Sequence, residues 1–151
     1  EKKASVSNTA KETAPPSQTP KPAPAVVTTS APTSQTDRAS ALVILKADAS
    51  AKWKDNYEMV KYEYDNQVEA YDWVIAHYSE HPDIMTKAQQ KWKNNYQMVK
   101  YEYENQLDAY NWMLAQTEYP NIMTKAKQKW GTNYEMVKYE YENQVEAYKG
   151  L

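Results

Sequence analysis

The sequence predicts an all-α protein: an up-down-up three-helix bundle of tandem helical repeats, preceded by a disordered segment rich in Pro, Thr and Ser. Three features of the sequence lead to this prediction. Tryptophan and tyrosine recur with a period of 38 or 39 residues after residue 50. The apolar residues of each repeat have helical spacing. Six of the eight prolines lie before residue 33.

Residues 1–36 are predicted to be a disordered Pro/Ser/Thr-rich spacer. They contain very few large apolar side chains, so burial cannot recover the roughly 1–2 kcal/mol per residue that ordering a backbone costs. The prolines favour local polyproline II structure, which makes an extended spacer. Residues 37–50 are interpreted as a lead-in segment to the first repeat, with its helical content left open.

Three tandem helical repeats are predicted to form the rest of the chain, at 51–87, 88–125 and 126–151. Their tryptophans, Trp53, Trp92 and Trp130, are separated by 39 and then 38 residues. Repeats of this period are typical of arrayed supersecondary units. The missing residue falls in the second connector, which is where a loop can absorb a deletion.

Each repeat is predicted to be one continuous helix of about 27 residues, ~40 Å long. No glycine or proline lies between residues 51 and 79, and the apolar residues follow the 4-3 spacing of coiled-coil helices. The predicted core face of the first helix consists of Trp53, Tyr57, Val60, Tyr64, Val68, Tyr71, Ile75 and Tyr78. Lys61 and Asp65, on the neighbouring face, are spaced for an i,i+4 ion pair. Because the connectors are short, consecutive helices are expected to run antiparallel.

Two proline-containing connectors separate the repeats. Proline disfavours helix at the preceding residue, so His81 and Tyr119 are expected to lie outside helices. The next helix can begin after Thr86 as a capping residue, or at Pro82 as its first residue. The same two alternatives stand in the second connector.

The composition argues against an enzyme. The chain has no cysteine, two histidines and two glycines, so it lacks thiolate ligands and glycine-rich phosphate loops. His77 and His81 lie four residues apart, but a helix end whose cations suit the dipole explains them better than a metal site does. We therefore predict no catalytic residue, no metal and no cofactor. The formal net charge of −2 argues against nucleic-acid binding, and no apolar run approaches the ~18 residues of a membrane span.

A second, thinner aromatic stripe lies roughly opposite the predicted core face. Its large members are Tyr62, Trp73, Tyr101, Trp112 and Tyr139. Large amphipathic side chains at regular intervals suit a surface that binds a protein or stacks on sugar rings. Core packing is the competing interpretation, because a middle helix in a stack must bury two faces.

Asn-Gln pairs recur in every repeat, at 66–67, 105–106 and 143–144. One interpretation is a polar layer that fixes helix register. The other is a hydrogen-bonding pair that contacts a ligand beside the tyrosines.

A Pro/Thr/Ser-rich lead followed by tyrosine-rich helical repeats resembles cell-surface repeat proteins of Gram-positive bacteria, such as streptococcal and lactobacillal adhesins. The features that carry the resemblance are the spacer from Pro15 to Pro32 and the WxxxYxxVxxxY pattern that begins at Trp53. It implies a secreted or surface-displayed binding module that contacts a host extracellular protein or glycan, a bacterial cell-wall polymer or a copy of itself. The alternative is a structural spacer or self-assembly element with no ligand of its own.

Overall fold

The structure, a computed structural model, describes residues 35–151. This part of the chain forms six α-helices and no strand: α1 Gln35–Trp53, α2 Tyr57–His77, α3 Pro82–Trp92, α4 Tyr96–Ala115, α5 Pro120–Trp130 and α6 Tyr134–Lys149. The all-α prediction is confirmed for these residues. Apart from its last two residues, the predicted disordered segment 1–36 lies outside the described residues. The lead-in segment 37–50 is part of α1.

The prediction of three continuous helices is wrong, because each is interrupted just after its tryptophan. Three-residue turns separate α1 from α2, α3 from α4 and α5 from α6. The last residue of each turn is an asparagine that caps the next helix. The side-chain Oδ1 of Asn56, for example, accepts a hydrogen bond from the Met59 backbone N–H at 3.3 Å. Such a cap satisfies one of the backbone donors that a helix start leaves without an intrahelical partner.

The first residue of each turn has a positive φ angle, which reverses the chain direction. The φ angles are 51° at Lys54, 53° at Lys93 and 58° at Gly131. Only glycine adopts such φ values without steric strain between Cβ and the backbone. The two lysine turns are therefore strained, and the glycine turn is relaxed.

The turns fold the helices into three antiparallel hairpins: hairpin 1 (α1 and α2), hairpin 2 (α3 and α4) and hairpin 3 (α5 and α6). In hairpin 1 an ion pair joins Lys52 to Glu63 beside the turn, and another joins Arg38 to Asp72 far from it. Contacts whose residue numbers run in opposite directions define an antiparallel pair. The predicted boundaries at 50/51, 87/88 and 125/126 fall inside α1, α3 and α5.

The long helices α2, α4 and α6 pack side by side in that order. Gln67 contacts Asn95, and further along both helices Trp73 contacts Tyr103. Residue numbers increase together along the two helices, so α2 and α4 run parallel. The expected antiparallel packing of consecutive repeats is wrong, because the chain reverses twice between one long helix and the next.

The core lies between the short and long helices and continues from hairpin to hairpin. Its most buried side chains are Leu45, Tyr71, Val74, Met85, Val99, Tyr103 and Val137. The predicted core face is right at Tyr71 and Tyr78, which are buried, but wrong at Tyr57, which is 77% exposed. Trp53 belongs to α1 and is half-buried. The predicted face assumed one continuous helix through Trp53 and Tyr57, and the turn between these two residues interrupts that helix.

The connectors agree with the proline rule. His81 and Tyr119 precede α3 and α5, and Pro82 and Pro120 are the first helical residues. Proline suits this position because the first turn of a helix does not need its N–H. None of the six helices within residues 35–151 contains an apolar stretch of the length that spanning a bilayer requires.

The positive φ of Gly131 leads to a stability prediction. A Cβ at this position would meet no atom within 4 Å, so Gly131→Ala changes backbone strain alone. We expect it to lower the free energy of unfolding by about 1–2 kcal/mol, measured by urea unfolding followed by circular dichroism.

Gly150→Ala is the matched control, because Gly150 has an ordinary φ of −82°. Its effect should stay within about 0.5 kcal/mol. The converse substitution, Lys93→Gly, should stabilise the protein. Equal urea midpoints for Gly131→Ala and the unmodified chain would contradict the assignment of strain to this turn.

Candidate functional site

The aromatic stripe divides into two classes in the structure. Its tyrosines are exposed: Tyr62 by 63%, Tyr101 by 59% and Tyr139 by 60%. Its tryptophans, Trp73 and Trp112, are half-buried. The five predicted site residues therefore differ in their exposure. The tyrosines face solvent, and the tryptophans contribute to packing between hairpins.

The three exposed tyrosines occupy the same position on successive long helices, and we call them the tyrosine row. Each lies five residues after the first residue of α2, α4 or α6. Because these helices run parallel and pack at interaxial distances of about 8–10 Å, the row repeats at roughly that spacing. A planar, amphipathic ring is thus offered three times along one face.

Each tryptophan of the stripe packs against a tyrosine of the next hairpin. The centroids of Trp73 and Tyr103 are 5.8 Å apart, and those of Trp112 and Tyr141 are 5.6 Å apart, both in edge-to-face geometry. The Lys100 Nζ lies 4.8 Å from the Trp73 ring centroid. Such aromatic and cation–π contacts stabilise a half-buried joint, so packing is the better interpretation for the tryptophans.

A shallow polar groove of about 260 Å³ runs between α4 and α6 beside the tyrosine row. Its lining consists of Asn105, Asp108, Ala109, Glu135, Lys138, Tyr139 and Glu142. An aromatic ring flanked by amide, carboxylate and ammonium groups can stack on an apolar face and hydrogen-bond to hydroxyl or amide groups at its edge. This combination suits a sugar ring or a polar peptide.

The glutamine of each Asn-Gln pair in α2 and α4 is buried and contacts the cap of the next long helix. The Gln106 Nε2 donates to Asn133 Oδ1 at 3.1 Å, and its Oε1 accepts from the Tyr134 N–H at 2.7 Å. Gln67 Nε2 donates to Asn95 Oδ1 at 3.0 Å, and its Oε1 accepts from the Gln97 N–H at 3.3 Å, as Gln106 Oε1 accepts from the Glu135 N–H at 3.4 Å. We call this arrangement the glutamine joint. It agrees with the interpretation that the pairs fix register.

A tyrosine pair accompanies each glutamine joint. The rings of Tyr71 and Tyr96 lie edge to face with centroids 4.9 Å apart, and those of Tyr110 and Tyr134 are 5.0 Å apart. Each pair joins one turn of a long helix to the first residue of the next. The joint therefore combines a satisfied polar network with aromatic packing.

A second device closes each hairpin on itself. A glutamate on the long helix accepts hydrogen bonds from the lysine and tryptophan that end the short helix. In hairpin 3, Glu140 Oε2 is 2.7 Å from Lys129 Nζ and 3.3 Å from Trp130 Nε1. Glu63 and Glu102 make the same two contacts in hairpins 1 and 2. This contact could not be predicted from the repeat pattern, because a continuous helix would place each tryptophan and its glutamate on the same helix.

A groove of about 430 Å³ lies between hairpin 2 and the turn of hairpin 3. Ile84, Ala88 and Tyr134 give it an apolar floor, and charged groups of both signs, including Lys87 and Asp83, line its sides. This groove could not be predicted from the sequence pattern, because its walls come from two repeats.

Each histidine makes contacts with an aromatic side chain. His77 stacks on Trp73 with centroids 3.9 Å apart, and its Nδ1 lies 2.7 Å from the Trp73 carbonyl oxygen. His81 packs edge to face on Tyr110. The described part of the chain contains no cluster of three or more His, Cys, Asp or Glu side chains that could hold a metal ion.

No protein-family model matches the chain, and no curated protein or solved structure shows significant similarity to it.

The glutamine joint leads to a prediction with a control in the same chain. Gln106→Ala leaves the part-buried N–H of Tyr134 without its acceptor, so we expect a loss of about 1–3 kcal/mol in the free energy of unfolding. Gln144 is the equivalent residue of hairpin 3, but it is exposed, and Gln144→Ala should cost no more than about 0.5 kcal/mol. Urea unfolding of both variants checks this, and similar losses would contradict the joint.

The carboxylate of Glu63 leads to a pH prediction. Burial raises the pKa of Glu63, but hydrogen bonds from Lys52, Gln67 and Trp53 outweigh this effect, so the pKa lies below its ordinary value. A carboxylate whose folded pKa is depressed stabilises the fold above its unfolded pKa, and this stabilisation is lost as pH falls through the folded value. The stability difference between the unmodified chain and Glu63→Gln should therefore shrink from neutral pH to about pH 3.

Urea midpoints of both proteins across this pH range measure the effect. Lys61→Gln is the control, since it breaks the exposed pair with Asp65, which includes neither Glu63 nor any of its partners, and should change the midpoints little. A difference that stays constant with pH would contradict the role assigned to Glu63.

Proposed function

We propose that this chain is a secreted or surface-displayed, adhesin-like binding module rather than an enzyme. It binds through the tyrosine row to a host extracellular protein or glycan, or to a bacterial cell-wall polymer. The resemblance of its spacer and repeats to Gram-positive surface proteins supports the location. The row itself supports the binding role.

The observation that carries this proposal is the unequal burial of the aromatic stripe. Tyr62, Tyr101 and Tyr139 stay 59–63% exposed, although the other large members of the stripe find packing partners. Three exposed large aromatic residues on one face contribute little to folding. They are, however, the side chains that most often dominate the energy of an interface.

The repetition of the row favours an extended ligand with its own repeat. A polymer that contacts several rings at once gains from multivalency, so individually weak contacts add up to useful affinity. The polar groups beside Tyr139 offer hydrogen bonds to hydroxyl and amide groups. A glycan or a wall polymer supplies both a stackable ring face and such groups.

The alternative function is a structural spacer or self-assembly element. Its support is the use of Trp73 and Trp112 in packing between hairpins. A spacer needs these joints but has no use for an exposed tyrosine row. The two functions therefore differ in what the row does.

A triple substitution tests the binding role. The variant Tyr62→Ala, Tyr101→Ala, Tyr139→Ala removes the row while leaving the buried joints in place. We expect each single change to weaken binding to immobilised cell-wall fragments or extracellular glycoproteins by about tenfold, and the triple change to abolish it. Surface plasmon resonance on a panel of both materials measures this.

Leu114→Ala is the control, because Leu114 is as exposed as the tyrosines, at 59%, and is not part of the row. Its binding should match that of the unmodified chain. The matching Tyr→Phe triple variant separates the two contributions, since it keeps the ring and removes the hydroxyl. Undiminished binding by a folded triple alanine variant, or no binding to any of these materials by the unmodified chain, would favour the spacer.

A further inference from the structure

Hairpins 1 and 3 each present one half of the glutamine joint without the other half. The joint has a donor side, which is a glutamine and a tyrosine on the long helix, and a receiving side, which is the capped start of the next long helix. Both sides are occupied where hairpin 1 meets hairpin 2 and where hairpin 2 meets hairpin 3. Within residues 35–151, one side of hairpin 1 and one side of hairpin 3 have no partner.

The open donor side lies on α6. Gln144 matches Gln67 and Gln106 in position, yet it is exposed and its Nε2 donates only to Glu140 Oε1, at 3.1 Å. Tyr148 matches Tyr71 and Tyr110, yet it is 59% exposed. It keeps the contact with the preceding connector, through Tyr119 at 5.6 Å. It has no second tyrosine partner within residues 35–151.

The open receiving side lies at the start of α2. Asn56 caps this helix as Asn95 and Asn133 cap the later ones. Tyr57 matches Tyr96, which is 6% exposed, but is itself 77% exposed. Within residues 35–151, Tyr96 packs on Tyr71 of the preceding long helix, whereas no long helix precedes Tyr57.

The charges of the two sides are compatible with the same contacts. In the joint between hairpins 2 and 3, Gln106 Nε2 also lies 3.3 Å from Glu135 Oε2. Glu58 stands at the matching position on the open receiving side. The amide of Gln144 would therefore meet an asparagine oxygen, a carboxylate and a free backbone N–H, as Gln106 does.

We propose that the open donor side of one copy of this chain docks on the open receiving side of a second copy, head to tail. Gln144 bonds the cap formed by Asn56, and Tyr148 packs on Tyr57. The contact is heterologous, so it leaves one open side at each end and extends into a linear chain rather than closing as a symmetric dimer. This inference does not rest on the proposed function, because the tyrosine row takes no part in it.

The joint between copies should be weaker than the joints inside the chain. In α2 and α4 a tryptophan, Trp73 or Trp112, packs on the next hairpin. The matching residue of hairpin 3 is a glycine, Gly150. The aromatic contact made by Trp73 and Trp112 is therefore missing. We expect reversible association with a dissociation constant of about 1 µM to 1 mM.

Sedimentation equilibrium of the whole 151-residue chain tests the proposal. The average mass should rise with concentration above that of the 17.5 kDa monomer. Gln144→Ala and Tyr57→Ala should each weaken association by about tenfold. Both residues are exposed, so both variants should fold normally, as circular dichroism would show. Leu114→Ala, away from both open sides, should associate like the unmodified chain.

A mixing experiment identifies the head-to-tail geometry. Gln144→Ala, Tyr148→Ala removes the donor side, and Tyr57→Ala, Glu58→Ala removes the receiving side. Each double variant alone should be monomeric, and an equal mixture should form dimers but nothing larger, since each contributes one intact side. Three results would each overturn the proposal: a monomeric unmodified chain at 1 mM, association of either double variant alone, or a mixture that stays monomeric.

These results are independent of binding by the tyrosine row. A chain that binds wall polymer but remains monomeric would leave the proposed function standing and remove the head-to-tail contact. A chain that associates through Gln144 and Tyr57 but binds no such material would do the reverse.

Discussion

The side-chain amide of Gln106 is buried, and its donor and acceptor must both find partners away from water. The start of a helix provides both, because the cap oxygen of Asn133 accepts a bond and the first backbone N–H groups need an acceptor. Leaving either group unsatisfied would cost about as much as several exposed ion pairs contribute. The donor and the acceptor of the Gln106 amide are both satisfied in only one relative position of α4 and α6. The tyrosine pair, the tryptophan contacts and the spacing of the tyrosine row all follow from that position.

Much of the local structure could be predicted from the sequence. Helical spacing identified α2, α4 and α6, and the proline rule placed His81 and Tyr119 between helices. The hairpin turns were missed, because Lys54 and Lys93 adopt a backbone conformation for which lysine gives no local signal. The asparagine before each Tyr57-type residue was the available sign, together with Gly131 in the third copy. An asparagine inside an otherwise continuous helical pattern is only weak evidence for a helix start, because tertiary packing decides whether the helix breaks there.

The exposure of the candidate site residues could not be predicted, because it depends on the direction of the neighbouring helix. A continuous helix placed Tyr62 and Trp73 on one stripe, and that part of the phase was sound because both lie in α2. Whether a stripe residue is exposed depends on the neighbouring helix, and the sequence had suggested an antiparallel one. Parallel packing moves Trp73 against Tyr103 and leaves Tyr62 in solvent. The direction of the neighbouring helix thus decides which residues of the aromatic stripe are packed and which are available for binding.

The one-residue difference between the connectors has a consequence for the interior. In the shorter connector the Glu118 carbonyl oxygen accepts a 2.7 Å hydrogen bond from the Tyr141 hydroxyl. The equivalent hydroxyl, on Tyr103, is buried and has no partner among the described residues. Burial also raises the pKa of this phenol. The two hydroxyls thus differ in their partners, although the Trp73–Tyr103 and Trp112–Tyr141 ring contacts are equivalent.

The helix pairs with extensive contacts are all neighbours in the chain or in the row of long helices. Such a molecule behaves as a one-dimensional lattice, in which each unit's stability is its own plus that of the joints it shares. Hairpin 2 shares two joints and hairpin 3 shares one. Local unfolding of hairpin 3 breaks a single joint, whereas local unfolding of hairpin 2 breaks two. The opening free energy that governs amide hydrogen exchange is therefore lower for α6 than for α4. Because the hairpins stack in a row, they differ in how readily they open, although their sequences are nearly the same.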